Sequence, residues 1–151
     1  MLLVTLVLVA AIAVMWPARV GGRATYVTTF GTSMEPRFHS GDLAILFPAS
    51  EYRVGDIVAY HSTLLDTVVM HRITAVHEGH YLFKGDHNSW TDPDRPTKGQ
   101  LLGKLWLRVA HGAVLLIALR NMAIAGAILA LAFFAFPAKS PTDALPTRST
   151  G

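Results

Sequence analysis

Ser33, His71 and the two aspartates Asp86 and Asp92 are residue types that together can run acyl transfer, and each sits in a distinctive local sequence. A serine hydroxyl is a weak nucleophile at neutral pH. It needs a base within hydrogen-bond reach and usually a third group to orient that base. Ser33 lies in Gly31-Thr32-Ser33-Met34-Glu35-Pro36, where a Met-x-Pro turn after an extended segment holds the hydroxyl at a strand end. His71 is embedded in a β-branched run, so the pleat of a strand fixes the direction of its ring. An imidazole, ordinarily titrating near about pH 6.5, takes a serine proton at neutral pH without a desolvating pocket, which a lysine base would require. Lys84-Gly85-Asp86 and the later Asp92 supply two candidates for the orienting acid.

The elements that must position these groups are strands. Gly41-Asp42 and Gly55-Asp56 each place a turn dipeptide before a short apolar or β-branched run, over 43–47 and 57–60. Residues 67–76 are rich in β-branched side chains, and 80–84 follow across a Glu78-Gly79 turn, which reads as a β-hairpin. Residues 101–107 supply one more strand to close the sheet. No segment between residues 18 and 110 keeps helical periodicity for three turns, so the region is expected to be all-β.

Hydrophobic residues make up 52% of the chain and charged residues only 15%. Nearly all the charges fall between residues 19 and 108, which predicts a polar domain between two membrane segments. Residues 1–17 form the first, an N-terminal anchor. Only Thr5 is markedly polar before Pro17 and Arg19, and the segment has neither the basic start nor the small-x-small end of a cleavable signal. Residues 111–137 form the second, with the apolar run 122–136 preceded by Arg120-Asn121. There, 109–119 would lie along the interface with Arg120 reaching for head groups. The tail, 138–151, is rich in Pro, Ser and Thr and is expected to be disordered.

No cysteine is present, which excludes disulfides, a thiolate nucleophile and cysteine-based metal sites. The net charge of +3 comes from scattered residues with no basic run to follow a phosphate backbone, so nucleic acid is not an expected partner. His77 and His80 have a spacing open to metal binding, but no helix or carboxylate partner joins them. Neither metal nor cofactor is expected.

Four ordered blocks carry a resemblance to a known family: Ser33-Met34-Glu35-Pro36, Gly55-Asp56, His71-Arg72, and Lys84-Gly85-Asp86-His87-Asn88. Between about residues 30 and 103 the chain resembles the signal peptidase I family, membrane-bound enzymes that remove signal peptides from exported proteins. Histidine before the arginine of the third block matches the endoplasmic-reticulum and archaeal subclass, where the usual bacterial enzymes have lysine. The resemblance implies a small signal-peptidase-like β-domain between an N-terminal and a C-terminal transmembrane segment. It also implies Ser-His-Asp chemistry by Ser33 and His71, with Asp92, at the family's triad position, favoured as the acid. Asp86 would brace the loop or the active-site network, and the reverse assignment of the two aspartates stays open. The expected partners are the lipid bilayer and preproteins bearing signal peptides, cut after small residues at the first and third positions; accessory subunits are not specified. Gly31 stands where many members have an oxyanion-binding serine, leaving the Ser33 N–H as the main oxyanion donor.

Plainer readings compete for some of these residues. Asp42 and Asp56 follow glycine and read as turn residues between strands. Lys84 is available as the base of a soluble, self-cleaving Ser-Lys peptidase, a reading at odds with the hydrophobic ends. A non-catalytic membrane β-module that binds signal sequences is the second alternative. Arg19 and Arg23 after the first segment would by themselves hold the next domain in the cytoplasm. Export processing requires that domain outside the cell membrane, and the motif set outweighs the charge count.

Overall fold

The computed structural model describes residues 4–6 and 15–135. Most of the expected N-terminal anchor and all of the expected disordered tail lie outside the described residues. The chain between them is mainly β. Six strands, β1 (Thr25–Thr28), β2 (Leu43–Phe47), β3 (Ile57–Ser62), β4 (Thr67–His77), β5 (His80–Lys84) and β6 (Leu101–Val109), form one antiparallel sheet in the order β1-β2-β6-β3-β4-β5.

Alternation along the strands builds a core on each face of this sheet. Ile57 and Ala59 of β3 join Ala44, Leu46 and Met70 on one face, where Met34 and Phe38 come down from the segment 29–42 to cover them. Val58 and Tyr60 point to the other face and pack with Tyr52, Ile73, Tyr81 and Phe83. The β4-β5 connection is the Glu78-Gly79 turn, with both residues at positive φ (50° and 79°), the conformation a two-residue hairpin demands.

The two Gly-Asp dipeptides do more than turn the chain. Asp42 is 1% exposed and accepts from the His39 N–H (2.9 Å), the His111 N–H (2.9 Å) and Arg108 Nε (2.7 Å). Asp56 repeats the pattern, accepting from the Arg53 N–H (2.9 Å) and pairing with Lys104 of β6 at 2.7 Å. Each aspartate therefore caps its own turn and ties the start of its strand to a basic residue of β6, the strand that returns between β2 and β3.

Burial alone would raise the Asp42 carboxyl, but its two N–H donors and the Arg108 guanidinium outweigh that and hold it at about 2. A carboxyl depressed below its unfolded value stabilises the fold above that value, and the contribution is lost as pH falls toward the folded one. Asp42→Asn is expected to cost about 2 kcal/mol at neutral pH. The gap between variant and wild type should close from about pH 4 down to about pH 2, as read from denaturant midpoints at each pH.

The helix α1 (Gly112–Ala135) begins where Ala113 N–H donates to the Gly41 carbonyl at 3.0 Å. Its stretch Gly112–Phe133 has 22 residues, apolar enough to cross a membrane, and none of them after Gly112 is buried. At about 1.5 Å per residue this length reaches about 33 Å, against a hydrocarbon thickness of about 30 Å. The helix runs unbroken through Arg120-Asn121, where the sequence suggested an interfacial piece followed by a separate span. The backbone ladder is indifferent to side-chain polarity, and neither residue removes a donor or forces a non-helical φ.

Candidate active site

β4 carries His71 opposite Val58 of β3, and β5 pairs only with residues 72–77 of β4. Residues 67–71 therefore have β3 on one side and, among the described residues, no strand on the other. A cleft of about 580 Å³ wraps this open edge. Residues from both faces of β4 line it: Val68 and Met70 from one, Val69 and His71 from the other. Phe30, Leu64, Leu65 and Trp90 also border it, all with exposed apolar side chains.

Ser33 reaches the cleft from the segment 29–42, which is pinned on three sides. Thr29 exchanges backbone hydrogen bonds with Gly41 and Asp42, Met34 and Phe38 are buried below, and the Ser33 carbonyl accepts from the His87 N–H at 2.9 Å. Its hydroxyl Oγ lies 3.0 Å from His71 Nε2. On the far side of the ring, His71 Nδ1 lies 2.6 Å from Asp92 Oδ2. The His71 and Asp92 side chains are only 11% and 7% exposed, so this pair is largely withdrawn from water. A carboxylate at Nδ1 holds the ring proton there and turns the Nε2 lone pair toward the serine hydroxyl. The arrangement is a hydroxyl, a base and an orienting acid in one hydrogen-bonded line, which is what acyl transfer needs. Ser33 N–H has no hydrogen-bond partner among the described residues and is available to an oxyanion.

No family model matches the chain. Over 87 residues it is 36% identical to the signal peptidase complex catalytic subunit SEC11C of Homo sapiens, a match covering 53% of this chain and 45% of that protein. The subunit SEC11 of Tuber melanosporum (strain Mel28) is 34% identical over 88 residues, 49% of this chain and 47% of the relative. That of Plasmodium falciparum (isolate 3D7) is 32% identical over 77 residues, 48% and 42%. The chain is a homologue of signal peptidase catalytic subunits. It spans about half the length of the curated relatives it matches.

The other aspartate suggested by the sequence, Asp86, meets Arg72 and not His71. Arg72 Nε and Nη2 donate to its two carboxylate oxygens at 2.8 and 2.6 Å, while Nη1 donates to the Gly55 carbonyl at 2.7 Å. Arg72 follows His71 in the strand, so the pleat sends the two side chains to opposite faces and separates the two carboxylates with them. Lys84 sits opposite Arg72 in the β4-β5 pairing. Among the described residues no group of three or more His, Asp or Glu side chains converges as a metal site.

The structure adds residues that the sequence reading passed over. Tyr60 OH donates to Asp92 Oδ2 at 2.9 Å, and the Asp92 N–H donates to the Phe83 carbonyl at 2.7 Å, so Asp92 is held by both side chain and backbone. Burial pushes the Tyr60 phenol well above its ordinary range, and the nearby charges of Asp92 and Asp94 add to the shift. It therefore stays protonated and keeps the proton it donates to Asp92. In the sequence Tyr60-x-Ser62 and Asp92-x-Asp94 share a two-residue spacing, which becomes a pairing only once the two segments lie side by side.

Proposed function

We propose that this chain is a membrane-bound serine endopeptidase that removes signal peptides from exported proteins through an acyl-enzyme. The observation that carries the reading is the line from Ser33 Oγ through the His71 ring to Asp92 at the wall of a cleft with an open strand edge. Ser33 attacks the scissile carbonyl while His71 Nε2 takes its proton, and Asp92 stabilises the imidazolium that forms. The Ser33 N–H faces the developing oxyanion. His71 then returns the proton to the leaving amine, and a water molecule repeats the sequence to release the acyl group. Asp86 serves as a brace, locking the 85–88 turn to β4 through Arg72.

An extended peptide can add to the free edge of β4 at residues 67–71, where main-chain pairing supplies affinity and pockets for alternate side chains supply specificity. The apolar rim of Phe30, Leu64, Leu65 and Trp90 suits an apolar substrate delivered from a bilayer. In this reading residues 1–17 anchor the chain and 18–110 form the catalytic domain. Residues 111–137 cross the membrane a second time, and the domain lies on the extracytoplasmic side of the cell membrane.

The test is cleavage of a purified preprotein by the full chain in detergent. Wild type is expected to cut after a small-x-small sequence, and Ser33→Ala to lose about 10⁶-fold in kcat. Cleavage that persists in Ser33→Ala would remove serine as the nucleophile. An inert wild type would favour a binding module.

A further inference from the structure

Behind the line of Ser33, His71 and Asp92 lies a second layer that the chemistry above does not use. β3 presents Tyr60 and Ser62 on one face, and the segment carrying Asp92 and Asp94 passes it at the same two-residue period. The two segments latch twice. Tyr60 OH donates to Asp92 Oδ2 at 2.9 Å, and Ser62 Oγ donates to Asp94 Oδ2. The Leu65 N–H donates to Ser62 Oγ at 3.0 Å, which leaves the hydroxyl proton for Asp94, and Thr63 Oγ1 donates to the second Asp94 oxygen at 3.3 Å. All four latch residues are buried, at 1% exposure for Tyr60, 0% for Ser62, 7% for Asp92 and 8% for Asp94.

A buried tyrosine needs some acceptor for its hydroxyl, and this one could be no more than a satisfied core residue. The choice of acceptor argues otherwise. Tyr60 donates to Oδ2, the same oxygen that faces His71 Nδ1, and so opposes rotation of the carboxylate away from the imidazole. Its ring is fixed in turn by stacking on Phe83 at 4.5 Å, and the Phe83 carbonyl accepts the Asp92 N–H. We propose that Tyr60 is a positioning residue for His71, acting through Asp92, and that Ser62 and Asp94 hold the segment on which Asp92 is carried. The proposal rests on the serine-peptidase reading above.

The experiment compares wild type, Ser33→Ala, Tyr60→Phe, Asp94→Asn and Tyr81→Phe as full chains in detergent, each checked for folding. The substrate is a fluorogenic extended peptide with alanine at the first and third positions before the cut. Tyr60→Phe is expected to lower kcat about tenfold or more while KM stays within about twofold, because the hydrogen bond lost is one to a charged group and the ring that remains at the wall of the cleft keeps its shape. The low-field proton signal of the His71 Nδ1–H should move or broaden in this variant. Tyr81→Phe removes a hydroxyl from the same core and should change neither readout. A folded Tyr60→Phe with wild-type kcat and an unmoved proton signal would overturn the proposal. Should Tyr60→Phe fail to fold, Asp94→Asn decides: lower kcat at unchanged KM supports the latch, and wild-type kcat overturns it. Cleavage that depends on Ser33 but not on the latch sinks this inference alone, whereas a wild type without Ser33-dependent cleavage sinks the peptidase reading with it.

Discussion

Asp92→Asn is expected to lower kcat for preprotein cleavage by about 10⁴-fold with the fold intact, and His71→Ala by at least as much. An asparagine at 92 keeps the shape of the carboxylate but can present an amide N–H to His71 Nδ1, which selects the wrong ring tautomer and removes the charge that stabilises the imidazolium. The contact it disturbs is 2.6 Å long, between side chains nearly closed to water. Asp86→Asn is expected to behave differently. It breaks a two-point contact with Arg72 and leaves a half-buried guanidinium without its partner. The unfolding midpoint should fall, and the loss of activity should follow the loss of folded protein. The double variant Arg72→Gln with Asp86→Asn should regain part of the stability, since the stranded charge is gone. Stopped-assay kcat values normalised to the folded fraction distinguish the two aspartates. A catalytic collapse in Asp86→Asn at full stability would return Asp86 to the role of orienting acid.

The reason the sequence alone leaves both aspartates in play lies in geometry that spacing does not encode. Both follow Gly85 within a short segment, and both are candidates for a histidine located a hairpin away. What separates them is that Arg72 is adjacent to His71 and must face the opposite side of the sheet, taking Asp86 with it. The strands themselves are far more legible, because Gly-Asp starts and a Glu-Gly turn are local signals for β2, β3 and the β4-β5 hairpin. β1 is not, since Thr25–Thr28 is four residues long, half-buried throughout and opens on no turn dipeptide. Nor does any local pattern place β6 between β2 and β3. That position depends on long-range pairs such as Arg108 with Asp42 and Lys104 with Asp56. Tyr60 and Ser62 look like ordinary alternate strand residues until the segment at 92–94 is laid beside them.

Gly85→Ala should cost about 10²-fold in kcat without unfolding the domain. A Cβ added at Gly85 would stand 2.6 Å from the Ser33 carbonyl oxygen and 2.7 Å from Asn88 Nδ2. The asparagine amide can rotate aside, but the Ser33 oxygen is backbone and is also held by the His87 N–H at 2.9 Å. Relief therefore has to come from the Ser33 turn or from the 85–88 turn, and either movement changes the 3.0 Å approach of Ser33 Oγ to His71 Nε2. The fold should survive, because Met34 and Phe38 anchor the segment from the core side. Gly99→Ala is the matched control: its added Cβ meets nothing within 4 Å, so kcat should be unchanged. Steady-state kinetics should show the Gly85 effect in kcat more than in KM, since Ser33 is displaced while the β4 edge proposed to bind peptide is untouched. A Gly85→Ala enzyme with wild-type kcat would mean that the Ser33 turn is free to slide, and that the observed distance to His71 is not what sets the rate.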